Sequence, residues 1–402
     1  MKYVILIGDG MADEPLEALG GRTVLEYAET PNMDAVASSG RLGLFRSVPG
    51  GFPPGSDVAN MSILGYSPAR YYTGRAPLEA ASIGVRLGPS DTALRCNLVS
   101  LGEGPGGTVM KDYSAGHITT DEADSLIKSL DRALGAGAAG PFRFHRGKSY
   151  RHLVVWLDGP VDFETTPPHD ITGRPVEGHL PGGEGADELR SLMERSREVL
   201  RDHPVNRERR ARGLATADSI WLWGQGRAPR FPTMKELFGV DGSIISAVDL
   251  MNGLGVYAGL EVIDVPGATG YIDTDYSAKA RYALESLEER DFVCVHVEAP
   301  DEAGHNGSLD DKLRAVEDFD GLVVGAVREG LRRFGAFRLL VITDHPTPVR
   351  LRTHTSDPVP FALCGDGSPA GSAARRFCER DAAATGVVET DCEDFARRFF
   401  GG

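Results

Sequence analysis

The sequence predicts an α/β protein: a doubly wound, mainly parallel sheet with a smaller α/β domain inserted into it. Three observations carry that prediction. The apolar runs YVILI (3–7), FVCVHV (292–297) and FRLLVIT (337–343) are nearly continuous in hydrophobicity and contain β-branched residues, as strands buried on both faces do. Residues 277–290 and 309–335 place apolar groups at three- and four-residue spacing, which reads as two amphipathic helices, the second stopped by Gly335. Each apolar run also ends in polar residues: Gly8-Asp9-Gly10, Glu298 and Asp344-His345. Strand, helix, strand order implies right-handed crossovers, and in such sheets the ligand site lies beyond the carboxyl ends of the strands.

At 402 residues the chain is long for one average domain, so two are expected. Core-like sequence flanks a stretch of different texture, marked by Gly/Pro-rich segments such as PGGEG (181–185) and a charged helix around 186–212. The expected division is therefore a core of residues 1–75 and 231–402, with an inserted domain at 76–230. The basic cluster Arg207, Arg209, Arg210 and Arg212 reads as a solvated helix end.

Hydrophobic residues make up 41% and charged residues 25%, ordinary globular values. A formal charge of -15 argues against a general grip on nucleic acid or on an anionic membrane. It does not exclude an anionic substrate, because bound divalent cations reverse the local field. Five scattered cysteines with no C-x-x-C pair read as reduced thiols, and the apolar run at the amino terminus is too short for a signal peptide. The expected location is the cytoplasm.

Candidate chemistry lies at the strand ends. Asp9 in G-D-G reads by itself equally well as a turn residue. Asp301 and His305, in D-E-A-G-H, are four apart and would share one face of a helical turn. Asp344-His345 directly follow a strand, where a helix cap or turn is as good a reading as a ligand pair, and His354 alone reads as a loop histidine. Together these carboxylates and imidazoles suit Mn²⁺, Zn²⁺, Co²⁺ or Fe²⁺ and could assemble two adjacent sites, an arrangement matched to phosphoryl transfer. A nucleophile is supplied by P-P-G-S-D (53–57): the prolines stiffen the approach, Gly55 permits an unusual backbone angle, and Ser56 would be presented at a loop-to-helix turn. The alternative is that Ser56 merely caps the following helix.

At these residues the chain resembles the cofactor-independent phosphoglycerate mutases of the archaeal type, in the alkaline phosphatase superfamily. The likeness runs through G-D-G-M-A-D (8–13), T-P-N-M-D (30–34), P-G-S-D-V-A-N (54–60), Y-Y-T-G-R (71–75), W-L-W-G-Q-G (221–226), G-A-T-G-Y (267–271) and P-D-E-A-G-H (300–305). The resemblance implies a core of alkaline-phosphatase type and two divalent metal ions, Mn²⁺ foremost, with no 2,3-bisphosphoglycerate required. One ion would be held by Asp301, His305 and His354, and the other by Asp9, Ser56, Asp344 and His345. It further implies a small phosphorylated substrate, 2- or 3-phosphoglycerate, and a phosphoserine intermediate at Ser56. The inserted domain would supply substrate contacts, with Arg75, Arg151, His152, His169 and Asp170 as candidates and His117 behind them. Val58, Asn60 and Asn252 depart from the archaeal pattern and point to a bacterial branch for which homoserine kinase activity is the alternative. A metal-dependent phosphatase or phosphonate hydrolase is a third reading.

Overall fold

The computed structural model describes residues 1–104, 106–137, 140–367 and 375–401. The chain divides into two compact units, Met1–Tyr72 with Arg230–Gly402, and Thr73–Pro229.

The first unit is built on an eight-stranded sheet in the order Glu261–Val262, Gly242–Ile245, Phe292–Val297, Lys2–Gly8, Phe337–Thr343, Val359–Gly365, Arg41–Phe45, Val388–Glu389. Val359–Gly365 alone runs antiparallel to its neighbours; every other pairing is parallel. The three apolar runs identified in the sequence are adjacent central strands. Their side chains are almost wholly buried, since helices pack on both faces of such a sheet and neither face reaches water. Gly8 lies opposite both Val297 and Thr343, a register that makes all three strands end level. The segments beginning at Asp9, Glu298 and Asp344 therefore leave the sheet side by side.

The helix expected at 277–290 spans Tyr276–Glu289. That expected at 309–335 is not one regular helix. Leu309–Asp318 passes into a π-helical stretch, Phe319–Gly325, before Ala326–Leu331 resumes and Gly335 ends the run at φ 75°. Within the π stretch Asp320 is buried, and its carboxylate accepts from the backbone N–H of Asn32 and Met33 at the start of helix Pro31–Ser39. It satisfies amide donors that no residue within that helix can reach.

The second unit centres on strand Thr92–Gly104, which pairs antiparallel with Gly107–Asp112, Arg151–Trp156 and Ser219–Gly226; Phe142–His145 extends the sheet beside Arg151–Trp156. The charged segment 186–212 forms two helices, Ala186–Arg201 and Pro204–Ala211, rather than one. Pro204 cannot donate within a helix interior and so starts the second, with His203 Nδ1 accepting from Val205 N–H. Nor is the basic cluster wholly solvated. Arg209 is buried, pairs with Glu122 at 2.7 Å and donates to the carbonyls of Ala115 and Ala215, tying the second helix to helix Thr120–Leu134 and its flanking loops. Among the described residues the five cysteines are free, and no helix is long and apolar enough to cross a membrane.

Candidate active site

The carboxyl ends of the three central strands bring Asp9, Asp301, His305, Asp344 and His345 together, and the loop after Asp344 returns His354 to the same place. Asp301 and His305 stand one turn apart on helix Ala299–Asn306, with His305 Nε2 at 3.3 Å from Asp301 Oδ2. His354 Nε2 approaches the other oxygen, Oδ1, at 3.3 Å. Beside this trio, His345 Nε2 lies 3.6 Å from Asp9 Oδ1, 3.4 Å from Asp344 Oδ2 and 3.1 Å from Ser56 Oγ.

Ser56 is the first residue of helix Ser56–Ile63. The residue at the cap position is Gly55, in extended backbone at φ 179°, so the unusual angle expected there is not adopted. The Ser56 hydroxyl makes no capping bond and faces the His345 ring instead. A glycine is required elsewhere: Gly10 has φ 63°, and a Cβ there would sit 2.7 Å from Asp301 Oδ1 and 2.6 Å from Thr347 Oγ1. Through that close approach Gly10 N–H reaches Asp344 Oδ1 at 3.0 Å.

Hydrogen bonding presets the rings. His305 Nδ1 faces the Arg352 carbonyl at 3.0 Å and His354 Nδ1 faces the Pro54 carbonyl at 3.4 Å. A carbonyl only accepts, so both Nδ1 atoms carry protons and both Nε2 atoms are left as acceptors. The third ring is set by Thr347, which sequence reasoning missed. Its hydroxyl donates to Asp301 Oδ1 at 2.5 Å and so accepts from His345 Nδ1–H at 3.2 Å, again leaving Nε2 as an acceptor. Asn60, noted in the sequence only as a departure, donates from Nδ2 to Asp344 Oδ2 at 3.0 Å and to the Ser56 carbonyl at 2.8 Å.

The electrostatics are those of a cation site. Burial, with the charges of Asp344 and Asp301, pushes the Asp9 carboxyl well above its ordinary value, and Asp9 Oδ1 is buried with no hydrogen-bond partner. Burial acts the same way on Asp301, but the facing Nε2 atoms of His305 and His354, which can donate to it once those rings are protonated, override burial and hold that carboxyl well below the usual range. Burial also lowers the His345 pKa. Three crowded carboxylates facing three imidazole lone pairs form an oxygen and nitrogen donor set suited to divalent metal. Donor atoms fall within 4.8 Å of one another in three groups: Asp301, His305 and His354; Asp9, Asp301 and His345; Asp9, His296 and Asp344. His296 is a second residue that the sequence reading absorbed into the apolar strand FVCVHV. Despite full burial, which opposes a charge, Glu298 and Asp9 push its pKa up to about 10.

The remaining candidates lie in the second unit. Arg75 opens helix Arg75–Ser82. Arg151 lies over the Tyr150 ring at 5.0 Å and donates to its hydroxyl. His169 is half-exposed, 3.6 Å from Asp170 and edge-on to Trp223 at 5.3 Å. Arg95, absent from the sequence expectation, stacks on the other partner of that edge, 4.1 Å from the Trp223 ring, and is held by Glu79 at 3.0 Å. Partial burial lowers the His169 pKa against the pull of Asp170, and Arg95, Arg75 and Arg151 lower it further, which marks these three cations as its neighbours. His152 is different: it is 3% exposed, and its Nδ1 accepts from Gly147 N–H at 3.1 Å. Its ring orders the adjacent turn and does not face solvent. His117 adopts φ 48° and packs edge-on to Tyr150.

Comparison with known proteins points to one family. A family model described as 2,3-bisphosphoglycerate-independent phosphoglycerate mutase matches residues 37–206. A Geobacter sulfurreducens protein named as a probable 2,3-bisphosphoglycerate-independent phosphoglycerate mutase is 53% identical over 391 residues, 97% of each chain. A Methanothrix thermoacetophila protein named as the same mutase is 55% identical over 368 residues, 91% of each. Among solved structures, a Pyrococcus horikoshii protein superposes with TM-score 0.82 at 29% identity, covering 100% of this chain and 97% of that one. A cofactor-independent phosphoglycerate mutase from Thermoplasma acidophilum superposes with TM-score 0.67 at 26% identity and full coverage of both.

Proposed function

The chain belongs to the 2,3-bisphosphoglycerate-independent phosphoglycerate mutases, and from that premise we propose that it interconverts 3- and 2-phosphoglycerate through a phosphoserine at Ser56. The observation that carries this reading is Ser56 Oγ at 3.1 Å from His345 Nε2, at the start of a helix and beside the overlapping carboxylate–histidine groups.

In this reading Asp301, His305 and His354 hold one divalent ion, and Asp9, Ser56, Asp344 and His345 hold the other. Mn²⁺ is our first assignment among the metals that mixed carboxylate and imidazole donors accept. Such ions supply charge neutralisation for an in-line phosphoryl displacement and acidify the attacking hydroxyl. The protein's own part is positional. Thr347, Arg352 and Pro54 fix the imidazole tautomers, Asn60 and Gly10 fix the Asp344 carboxylate, and the backbone N–H direction at the start of helix Ser56–Ile63 suits phosphoryl oxygens.

The chemical steps balance without a further reactant. Ser56 Oγ attacks the phosphorus of 3-phosphoglycerate; the new P–Oγ bond forms as the bond to the C3 oxygen breaks, and the hydroxyl proton ends on that oxygen. The glycerate then turns, its C2 hydroxyl attacks the phosphoserine, and the P–Oγ bond breaks with a proton returned to Ser56. For the substrate's anionic groups we propose Arg75, Arg151 and His169, with Asp170 as partner to His169 and Arg95 as an addition. The cationic neighbourhood around His169 supports that set. His152, being buried, is left outside it. A cytoplasmic location accords with five cysteines and no disulfide among the described residues.

The names of the relatives favour phosphoglycerate over homoserine. Mn²⁺-loaded protein given 3-phosphoglycerate, with enolase as the coupling enzyme, is expected to turn over without added 2,3-bisphosphoglycerate. Failure with Mn²⁺, Co²⁺ and Zn²⁺ alike would reject the proposal. Homoserine with ATP is expected to give no phosphohomoserine.

A further inference from the structure

Behind the proposed metal ligands lies a chain of alternating charge sealed from water. Lys279 Nζ donates to Glu298 Oε2 at 3.0 Å and to the His296 carbonyl at 2.9 Å. Glu298 Oε1 accepts from His296 Nδ1 at 3.0 Å, from Ser246 Oγ at 2.6 Å and from Ala247 N–H at 3.0 Å. His296 Nε2 then lies 3.2 Å from Asp9 Oδ2. Lys279 and His296 are 0% exposed, Glu298 3% and Asp9 4%.

Burying four ionisable groups is costly, and removing one partner from such a set leaves an uncompensated charge. An apolar cluster would fill the same space with less risk, so the arrangement calls for a role. Its end point supplies one. The charge contact from His296 Nε2, at 3.2 Å and without hydrogen-bond geometry, falls on Oδ2 of Asp9 and leaves Oδ1, which has no hydrogen-bond partner, directed at the His345 side of the site. Strand register makes the placement rigid, because His296 pairs with Ile7, two residues before Asp9, on the adjacent central strand.

We propose that His296 is a positioning residue, anchored through Glu298 to Lys279, which fixes the Asp9 carboxylate so that Oδ1 is presented to a divalent ion. The competing role is direct ligation, since Asp9, His296 and Asp344 also fall within ligand spacing of one another. The chain of charge favours positioning: Nδ1 is committed to Glu298, Nε2 faces a carboxylate oxygen, and the Lys279 ammonium two links away would repel a further dication at that spot.

The inference rests on Asp9 being a metal ligand, and the test separates the two claims. Metal-free full-length protein is titrated with Co²⁺ by calorimetry, and its visible spectrum is recorded at saturation, for wild type, Asp9→Asn, His296→Gln, and Lys279→Met combined with Glu298→Gln. Loss of an outer partner of a metal ligand typically weakens binding by about 10–100-fold. His296→Gln is expected to bind two ions still, one of them weaker by that factor and the other unchanged, with the saturated spectrum preserved. The double variant exchanges a buried ion pair for a neutral one of similar volume, stands in should His296→Gln not fold, and is expected to weaken the same ion. A changed saturated spectrum or the loss of one bound ion in His296→Gln would make His296 a ligand and overturn the inference. Unchanged affinity for both ions would overturn it too, provided Asp9→Asn weakens binding. If Asp9→Asn has no effect, the reading of Asp9 itself fails and the inference with it.

Discussion

The Nε2 atoms of His305 and His354 lie 2.8 Å apart, while each ring turns its Nδ1 toward a backbone carbonyl. Two imidazole lone pairs at that separation repel unless a cation or a proton lies between them. Because Asp301 raises the His305 pKa, chiefly by hydrogen bonding and against the opposing effect of burial, a proton competes there more strongly than at a free imidazole.

The first prediction comes from that competition. Metal affinity should fall as pH falls, and the fall should begin above the ordinary histidine value of about 6.5 because the His305 pKa is raised. In metal-free protein the sign is opposite: a raised folded pKa adds stability below about pH 6.5 that is lost as pH rises through the shifted value. Calorimetric Mn²⁺ titrations from pH 8 to pH 5 check the first statement, and urea unfolding of chelator-treated protein checks the second. Constant affinity across that range would contradict the tautomer assignment.

Thr347 links the two proposed ion sites through one hydroxyl, shared between Asp301 and His345. Thr347→Val keeps the shape and removes the bond. Loss of such an outer partner should weaken metal binding by about 10–100-fold. Both ions should be affected, and saturating Mn²⁺ should restore much of the activity. An effect on neither ion, seen by the same titration, would remove Thr347 from the account.

A third prediction concerns the second unit. Burial lowers the His152 pKa to about 4, so its imidazole is neutral in the folded protein while the unfolded chain takes up a proton near pH 6.5. Stability from this group is therefore fully present above about pH 6.5 and lost as pH falls toward 4, a difference of about 2–3 kcal/mol by pH 4.5. His152→Gln should shrink the gap between stabilities measured by urea unfolding at pH 7.5 and 4.5 by about that amount. The same gap in both proteins would show that the ring is not held neutral.

The sheet and the site's main ligand candidates were legible because they obey local rules. A continuous apolar run followed by Asp or His marks a buried strand and its carboxyl end, and four-residue spacing put Asp301 and His305 on one helical face. What the sequence concealed depends on partners far along the chain. His296 sits inside an apolar strand and is read as core until Asp9, 287 residues away, is seen beside it. Thr347 is one hydroxyl in a loop, given meaning by Asp301 across 46 residues. Arg209 reads as solvated until Glu122, 87 residues distant, closes on it. Gly55 misled in the other direction, since the residue type allows an unusual angle but the extended backbone there makes no use of it.

The central claim is that Ser56 carries the phosphoryl group between the two oxygens of glycerate. Mn²⁺-loaded protein mixed with 3-phosphoglycerate, quenched in acid within a turnover and digested for mass spectrometry, tests it most directly. The account predicts one phosphoryl group, on Ser56, in wild type, and neither phosphopeptide nor isomerisation in Ser56→Ala. Isomerisation surviving in Ser56→Ala, or a phosphoryl group trapped on another residue, would contradict it.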